Sequence, residues 1–260
     1  MSRPLLNAPF RFLLAVGCAV LLAACALPLA SESEIDTQGD AEFQKIRNKT
    51  PISTDAARRA YVNCVASAIV RELPPPYVDQ DWEIEIFESE EVNAFALPGG
   101  HIGVFTGMFK VAENQDQLAA VIGHEVAHVT EKHALKRYKR EATTQIGVVG
   151  VAVATGTGQA GMDLGGMVAK LGLSLPFSRG EESEADTVGL RYMAKAGFDP
   201  RQSVALWQNM QKKSKLGPPE MLSTHPSSEH RIDELIAQFP ETLKLYNEAQ
   251  AAGKKPRCQR

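Results

Sequence analysis

The sequence predicts an α+β protein: a mainly helical domain carrying a small, mainly antiparallel sheet, with a metal-binding motif on a central helix. Three observations lead there. Trp82-Glu83-Ile84-Glu85-Ile86-Phe87-Glu88 alternates apolar and acidic side chains, the period of a strand buried on one face. Two short extended candidates follow it, and no long strand pattern comes later. From Asn114 onward apolar residues recur at helical spacing, and His124-Glu125-Val126-Ala127-His128 sits in the middle of the longest such run.

At the N-terminus, Arg3 and Arg11 precede an uncharged run, Phe12–Leu27, and the acidic stretch Ser31-Glu32-Ser33-Glu34 follows it. The run is shorter than the about 20 residues a spanning helix needs. A basic region, an apolar region and small residues describe a secretory signal peptide. Leu22-Ala23-Ala24-Cys25 resembles the lipobox of bacterial lipoproteins, in which the chain is cut before the cysteine and the cysteine is lipidated. Cys18 is a weaker candidate, and an uncleaved anchor helix or a plain signal peptide is the competing reading. The division expected is 1–24 signal peptide, 25–50 polar tether, 51–250 the main domain, which carries the metal-binding motif, and 251–260 tail. Ala26, rather than Asp, after the cysteine points to the outer membrane if the host is Gram-negative. Cleavage shifts the net charge from −3 to −5, because Arg3 and Arg11 leave with the signal.

The next element is a helix with Ser53 or Thr54 as its cap, running through Val70 and stopped by Pro74-Pro75-Pro76. After the alternating strand, Val92–Leu97 is a second extended candidate, Pro98-Gly99-Gly100 a turn, and Ile102–Phe105 a third strand. Asn114 with Gln117 resembles a capping box and opens a long helix to about Arg140. Residues 147–172 are rich in Gly, Ala and Val, but polar residues and glycines interrupt them, so they read as small-residue helices and a loop. Helices are expected at Glu181–Lys195, Pro200–Lys213, Glu229–Gln238 and Glu241–Gln250, with a Gly217-Pro218-Pro219 loop among them.

Composition excludes several classes. With 260 residues, 44% hydrophobic and 23% charged, the chain is neither disordered, collagenous nor a disulfide-dense scaffold. Its 28 Lys+Arg are outnumbered by 31 Asp+Glu, so no nucleic-acid partner is expected. Of the four cysteines, Cys64 and Cys258 remain once Cys18 and Cys25 are assigned, and an extracytoplasmic compartment permits a disulfide between them.

The chemistry lies in the His-Glu-x-x-His motif. Residues four apart share a helix face, so His124 and His128 can reach one ion. Glu125 beside them can take a proton from metal-bound water, which is the zinc-peptidase arrangement. With six His in the chain, composition predicts ~0.01 accidental occurrences of the motif. A third ligand is needed. The second-histidine spacing of the metzincins is excluded, because Glu131 and Ala134 stand where Gly and His would be. His133 points off the ligand face of a continuous helix and reads as a surface residue. The cluster Glu181-Glu182-Ser183-Glu184-Ala185-Asp186 offers carboxylates. Glu182 and Asp186 face the same way, Glu182 as ligand and Asp186 as acceptor from a ligand histidine. Glu184, about 200° around the helix, is the runner-up. Glu181 suits a helix N-terminus. The domain is then a zincin of the gluzincin type, with one Zn2+ per chain.

These residues resemble metallopeptidase family forty-eight, the HtpX/BepA/OMA-like zinc metalloproteases. The match includes Ser178-Arg179-x-x-Glu182-x-Glu184-Ala185-Asp186, Asn93-Ala94-Phe95-Ala96-Leu97-Pro98-Gly99-Gly100, and Thr224-His225-Pro226-Ser227-Ser228 with Arg231 and Ile232. It covers roughly residues 50–240, and the lipobox points to the LoiP-like periplasmic lipoprotein branch. The resemblance implies that Glu125 acts as general base and that substrate lies extended along an edge strand. Val92, Asn93, Ala94, Phe95 and Ala96 are the candidate strand, with plain core packing the alternative for Phe95 and Leu97. It also implies that His225 caps the zinc or stabilises the oxyanion. The function expected is a lipid-anchored endopeptidase on the periplasmic face of the outer membrane, cutting unfolded or misassembled envelope proteins. The alternative is an assembly factor or binding module, working with the envelope assembly machinery, whose metal site is silent or structural.

Overall fold

A computed structural model describes residues 30–155, 176–214, 220–226 and 230–260. Cys18, Cys25 and the signal-like run lie outside the described residues, as do residues 156–172, the Gly217-Pro218-Pro219 loop and Ser227-Ser228. Among the described residues no helix is long and apolar enough to cross a membrane.

The stretch read as a polar tether is a helix, α1 (Glu32–Lys49), opened by a capping box between Ser31 and Glu34. Only Ile35, Gly39 and Phe43 bury. They stand four apart and form one narrow stripe on an otherwise charged helix, enough to dock it. Phe43 enters an aromatic cluster with Phe87, Phe95 and Phe105, and burial of such a ring is worth roughly 2–3 kcal/mol.

Helix α2 (Ala56–Val70) is capped by Asp55, which accepts from the N–H groups of Ala57 and Arg58. Ser53 and Thr54 therefore lie outside it. Ser53 is engaged with the sheet, its N–H donating to Ile86 O.

Strands β1 (Glu83–Phe87), β2 (Ala94–Leu97) and β3 (His101–Phe105) form one sheet in the order β1-β3-β2. The β2–β3 pair is an antiparallel hairpin, but β1 runs parallel to β3. The sheet is thus mixed rather than mainly antiparallel, because the segment after β1 crosses over before the hairpin begins. Ala94 and Ala96 meet the main core, and Phe95 and Leu97 the aromatic cluster beneath α1.

Helix α3 (Gln115–Thr130) carries the motif. Asn114 caps it, accepting from Asp116 and Gln117 N–H at 3.0 Å. The continuous helix expected to Arg140 breaks at Glu131-Lys132, where Lys132 takes φ +57°. A new helix, α4 (His133–Thr155), starts there. Helices α5 (Arg179–Lys195), α6 (Gln202–Ser214), α7 (Glu220–Thr224), α8 (Arg231–Ala237) and α9 (Phe239–Ala251) complete the described elements.

Two features hold the helical body to its geometry. Helices α3 and α5 cross at Gly123 and Gly189, where a Cβ on Gly189 would lie 2.7 Å from Gly123 C and His124 N. The tail folds back along α3, with Cys258 N–H donating to Gln115 Oε1 at 2.8 Å. A Cys64–Cys258 disulfide spans Cα atoms 5.7 Å apart and 194 positions in sequence.

Candidate metal centre

His124 and His128 project from the same face of α3, and their Nε2 atoms lie 3.1 Å apart. Helix α5 brings Glu182 to them. Its two carboxylate oxygens stand 3.6 Å from His124 Nε2 and 3.6 Å from His128 Nε2. The capping box between Ser178 and Glu181 starts α5 one turn before Glu182, and Asp186 follows a turn later, so Glu182 and Asp186 share the inward face. The loop after α7 adds His225, whose Nδ1 is 3.0 Å from Glu182 and 3.2 Å from His124 Nε2. One donor atom from each of His124, His128, Glu182 and His225 fits within 4.8 Å, and all four residues are buried.

The proton inventory shows that this set suits a cation. His124 Nδ1 lies 3.0 Å from Asp186 Oδ1, so it holds the proton and leaves a lone pair on Nε2. That lone pair faces the Nε2 of His128 and a carboxylate in a buried site. Burial pushes the His128 imidazole well below its usual pKa, helped by the neighbouring His124 and His225, which keeps it neutral as a ligand must be. Burial pushes Glu182 up, but His225, His124 and Arg231 outweigh it and hold the carboxyl below its usual value. Asp186 behaves likewise, burial being overcome by Arg231 and His124.

Glu125 stands beside the cluster. Its Oε1 is buried and makes no hydrogen bond, with His225 Nε2 standing 3.5 Å away. Burial raises its pKa, partly offset by His225 and His124. A carboxylate left without a donor, next to a ring of metal ligands, is suited to accept a proton from water entering the site.

One placement differs from expectation, and two others complete the surroundings of the site. His133 is not on the surface. It is fully buried, with its Nδ1 2.8 Å from His128 Nδ1, because the break at Lys132 turns it back under the ligand face. Glu184, the runner-up ligand, faces away and meets His133 Nε2 at 3.0 Å and Lys136 at 2.9 Å. Arg231, to which no role was given, is buried at the centre. Its Nη1 donates to Glu182 at 3.1 Å and its Nη2 to Asp186 at 2.7 Å, with the guanidinium 3.4 Å from the Trp207 ring centre. Its signal was its place just after the Thr224-His225-Pro226 stretch. Phe177, stacked on His128 at 3.8 Å between ring centres, had no sequence signal.

The candidate substrate strand, Val92 to Ala96, leads into and forms most of β2, an edge strand whose outer side pairs with no other strand among the described residues. Phe95 packs into the aromatic cluster. A cavity of about 260 Å3 opens between α1, the end of β2 and the metal helix, lined among others by Gly39, Leu97, His128, Arg137 and Phe177.

Comparison with known proteins supplies the setting. Residues 56–238 match the model of peptidase family M48. The chain is 37% identical over 169 residues to the mitochondrial metalloendopeptidase OMA1 of Schizosaccharomyces pombe, covering 63% of this chain and 48% of that one. It is 31% identical over 206 residues to the beta-barrel assembly-enhancing protease of Yersinia pestis, covering 75% and 42%. The protein of the same name in Escherichia coli is 30% identical over 204 residues, covering 75% and 41%. The aligned part thus spans less than half the length of these relatives.

Proposed function

The chain belongs to peptidase family M48, and we propose that it is a zinc-dependent endopeptidase anchored by lipid at Cys25 in the bacterial cell envelope. There it hydrolyses peptide bonds of damaged or misassembled envelope proteins. The single observation that carries the reading is the convergence of His124, His128 and Glu182 on one point beside the unpartnered Glu125 Oε1. A purely structural metal site has no use for such a base.

His124, His128 and Glu182 would hold zinc, with Asp186 fixing the tautomer of His124. When bound, zinc supplies a Lewis acid that polarises the scissile carbonyl and acidifies water. Glu125 accepts the proton of the attacking water and returns it to the leaving amine. Arg231 keeps Glu182 and Asp186 ionised and aimed. The substrate backbone pairs with the outer side of β2, and the cavity beside His128 receives one of its side chains. His225 stands where a fourth ligand would, and in the resting form it caps the site. The Cys64–Cys258 bridge supports an oxidising compartment. The names of the bacterial relatives support a role in enhancing β-barrel assembly.

Incubation of the purified protein with unfolded casein tests this, with and without a chelator and beside Glu125→Gln. Cleavage abolished by both is the expected result, with His225→Ala cutting faster than wild type. Cleavage indifferent to chelator and to Glu125→Gln refutes the assignment.

A further inference from the structure

The two ligand histidines are held differently. His124 gives its Nδ1 proton directly to a carboxylate, Asp186. Among the described residues no carboxylate reaches His128 Nδ1. Instead that atom faces His133 Nδ1 at 2.8 Å, and the far nitrogen of His133 faces Glu184 Oε2 at 3.0 Å. Proton counting settles the direction. His128 must present a bare Nε2 to the ion, so its proton is on Nδ1. His133 Nδ1 must then accept, which leaves the His133 proton on Nε2, where it is donated to Glu184. One assignment satisfies all three groups.

We propose that His133 is a positioning residue for the metal: it relays the Glu184 carboxylate to His128 and fixes that ligand's tautomer and ring orientation. The geometry is built for it. His133 is fully buried. Lys136, one turn along α4 from His133, holds Glu184 by an ion pair of 2.9 Å. Phe177 stacks on the His128 ring, so the ring is clamped on its face by an aromatic and at its edge by His133. The arrangement exists only because Lys132 takes the left-handed conformation, which ends α3 and swings His133 back beneath His128.

The inference rests on the metal-centre reading, and metal binding separates the two. The apparent Zn2+ dissociation constant is measured by competition with a chromophoric chelator for wild type, His133→Phe, His133→Gln and Glu184→Ala, with the visible spectrum of the Co2+ form alongside. Gln can accept toward His128 and donate toward Glu184, and Phe can do neither. His133→Phe is expected to weaken binding about 10–100-fold and to shift the Co2+ bands, at unchanged circular dichroism of the metal-free form. His133→Gln should recover most of the loss, and Glu184→Ala should show a smaller loss in the same direction. A buried histidine that only fills space would be replaced better by Phe than by Gln. Wild-type affinity in His133→Phe, or no recovery in His133→Gln, overturns the proposal. If His133→Phe does not fold, the half-exposed Glu184 decides: an unaltered affinity and spectrum in Glu184→Ala overturns it. A wild type that binds no metal instead overturns the metal-centre reading itself.

Discussion

Replacing Gly189 by Ala sets two physical effects against each other. Alanine in a helix interior is favoured over glycine by about 0.8–1.0 kcal/mol, so local propensity says the variant is more stable. The crossing of α3 and α5 says otherwise. The new Cβ would lie 2.7 Å from Gly123 C and His124 N, both backbone, and ordinary contact begins at 3.4 Å, so the helices must part by about 0.7 Å. Overpacking of this kind costs about 1–3 kcal/mol, which leaves a net destabilisation of about 1 kcal/mol.

The separation falls on the metal centre, since Gly123 adjoins His124 and Gly189 follows Asp186 on α5. Metal–ligand distances tolerate only about 0.2 Å. Zinc affinity should therefore drop about tenfold or more, or ~1.4 kcal/mol. Urea denaturation of the chelated protein measures the first quantity, and zinc competition the second. Gly180→Ala, on the same helix with nothing within 4 Å of its Cβ, is the control and should leave both unharmed. A Gly189→Ala protein about 1 kcal/mol more stable than wild type, with unchanged zinc affinity, would refute the reasoning.

Glu125→Gln should retain metal while peptidase rate falls about 10²–10⁴-fold, read by competition titration and casein cleavage on one preparation. Arg231→Met leaves Glu182 and Asp186 buried without their cation. Denaturation of the metal-free protein should show a loss of about 3–5 kcal/mol, and a loss below 1 kcal/mol would mean the guanidinium is not what balances them. Cys258→Ser should cost about 2–5 kcal/mol, and dithiothreitol should lower wild type to the same stability without affecting the variant further.

Local periodicity made much of the site legible. The alternation from Trp82 to Glu88 marks β1, and the four-residue spacings of His124/His128 and Glu182/Asp186 put each pair on one face. What stayed hidden depends on contacts between distant segments. Helix α1 looks like a polar linker because three buried positions suffice to dock it once Phe43 finds the aromatic cluster. The break after Thr130 involves neither Gly nor Pro, since Lys132 itself adopts the left-handed conformation, and with it the place of His133 was lost. The parallel pairing of β1 with β3 is a matter of strand order, which the pattern within a strand does not encode. Arg231 is a lone basic residue in the sequence and a neighbour of two carboxylates only in space.

The Cys64–Cys258 bond has a practical consequence for anyone assaying the protein. It turns nearly all of the family-matched segment, with the whole metal centre, into one covalent ring. A single cut anywhere inside that ring yields two polypeptides that still migrate together until they are reduced. Self-digestion, or nicking by another protease, is therefore invisible on a gel run without reductant and appears as paired fragments on one run with it. A preparation judged intact by the first gel alone can already be a mixture of whole and nicked molecules.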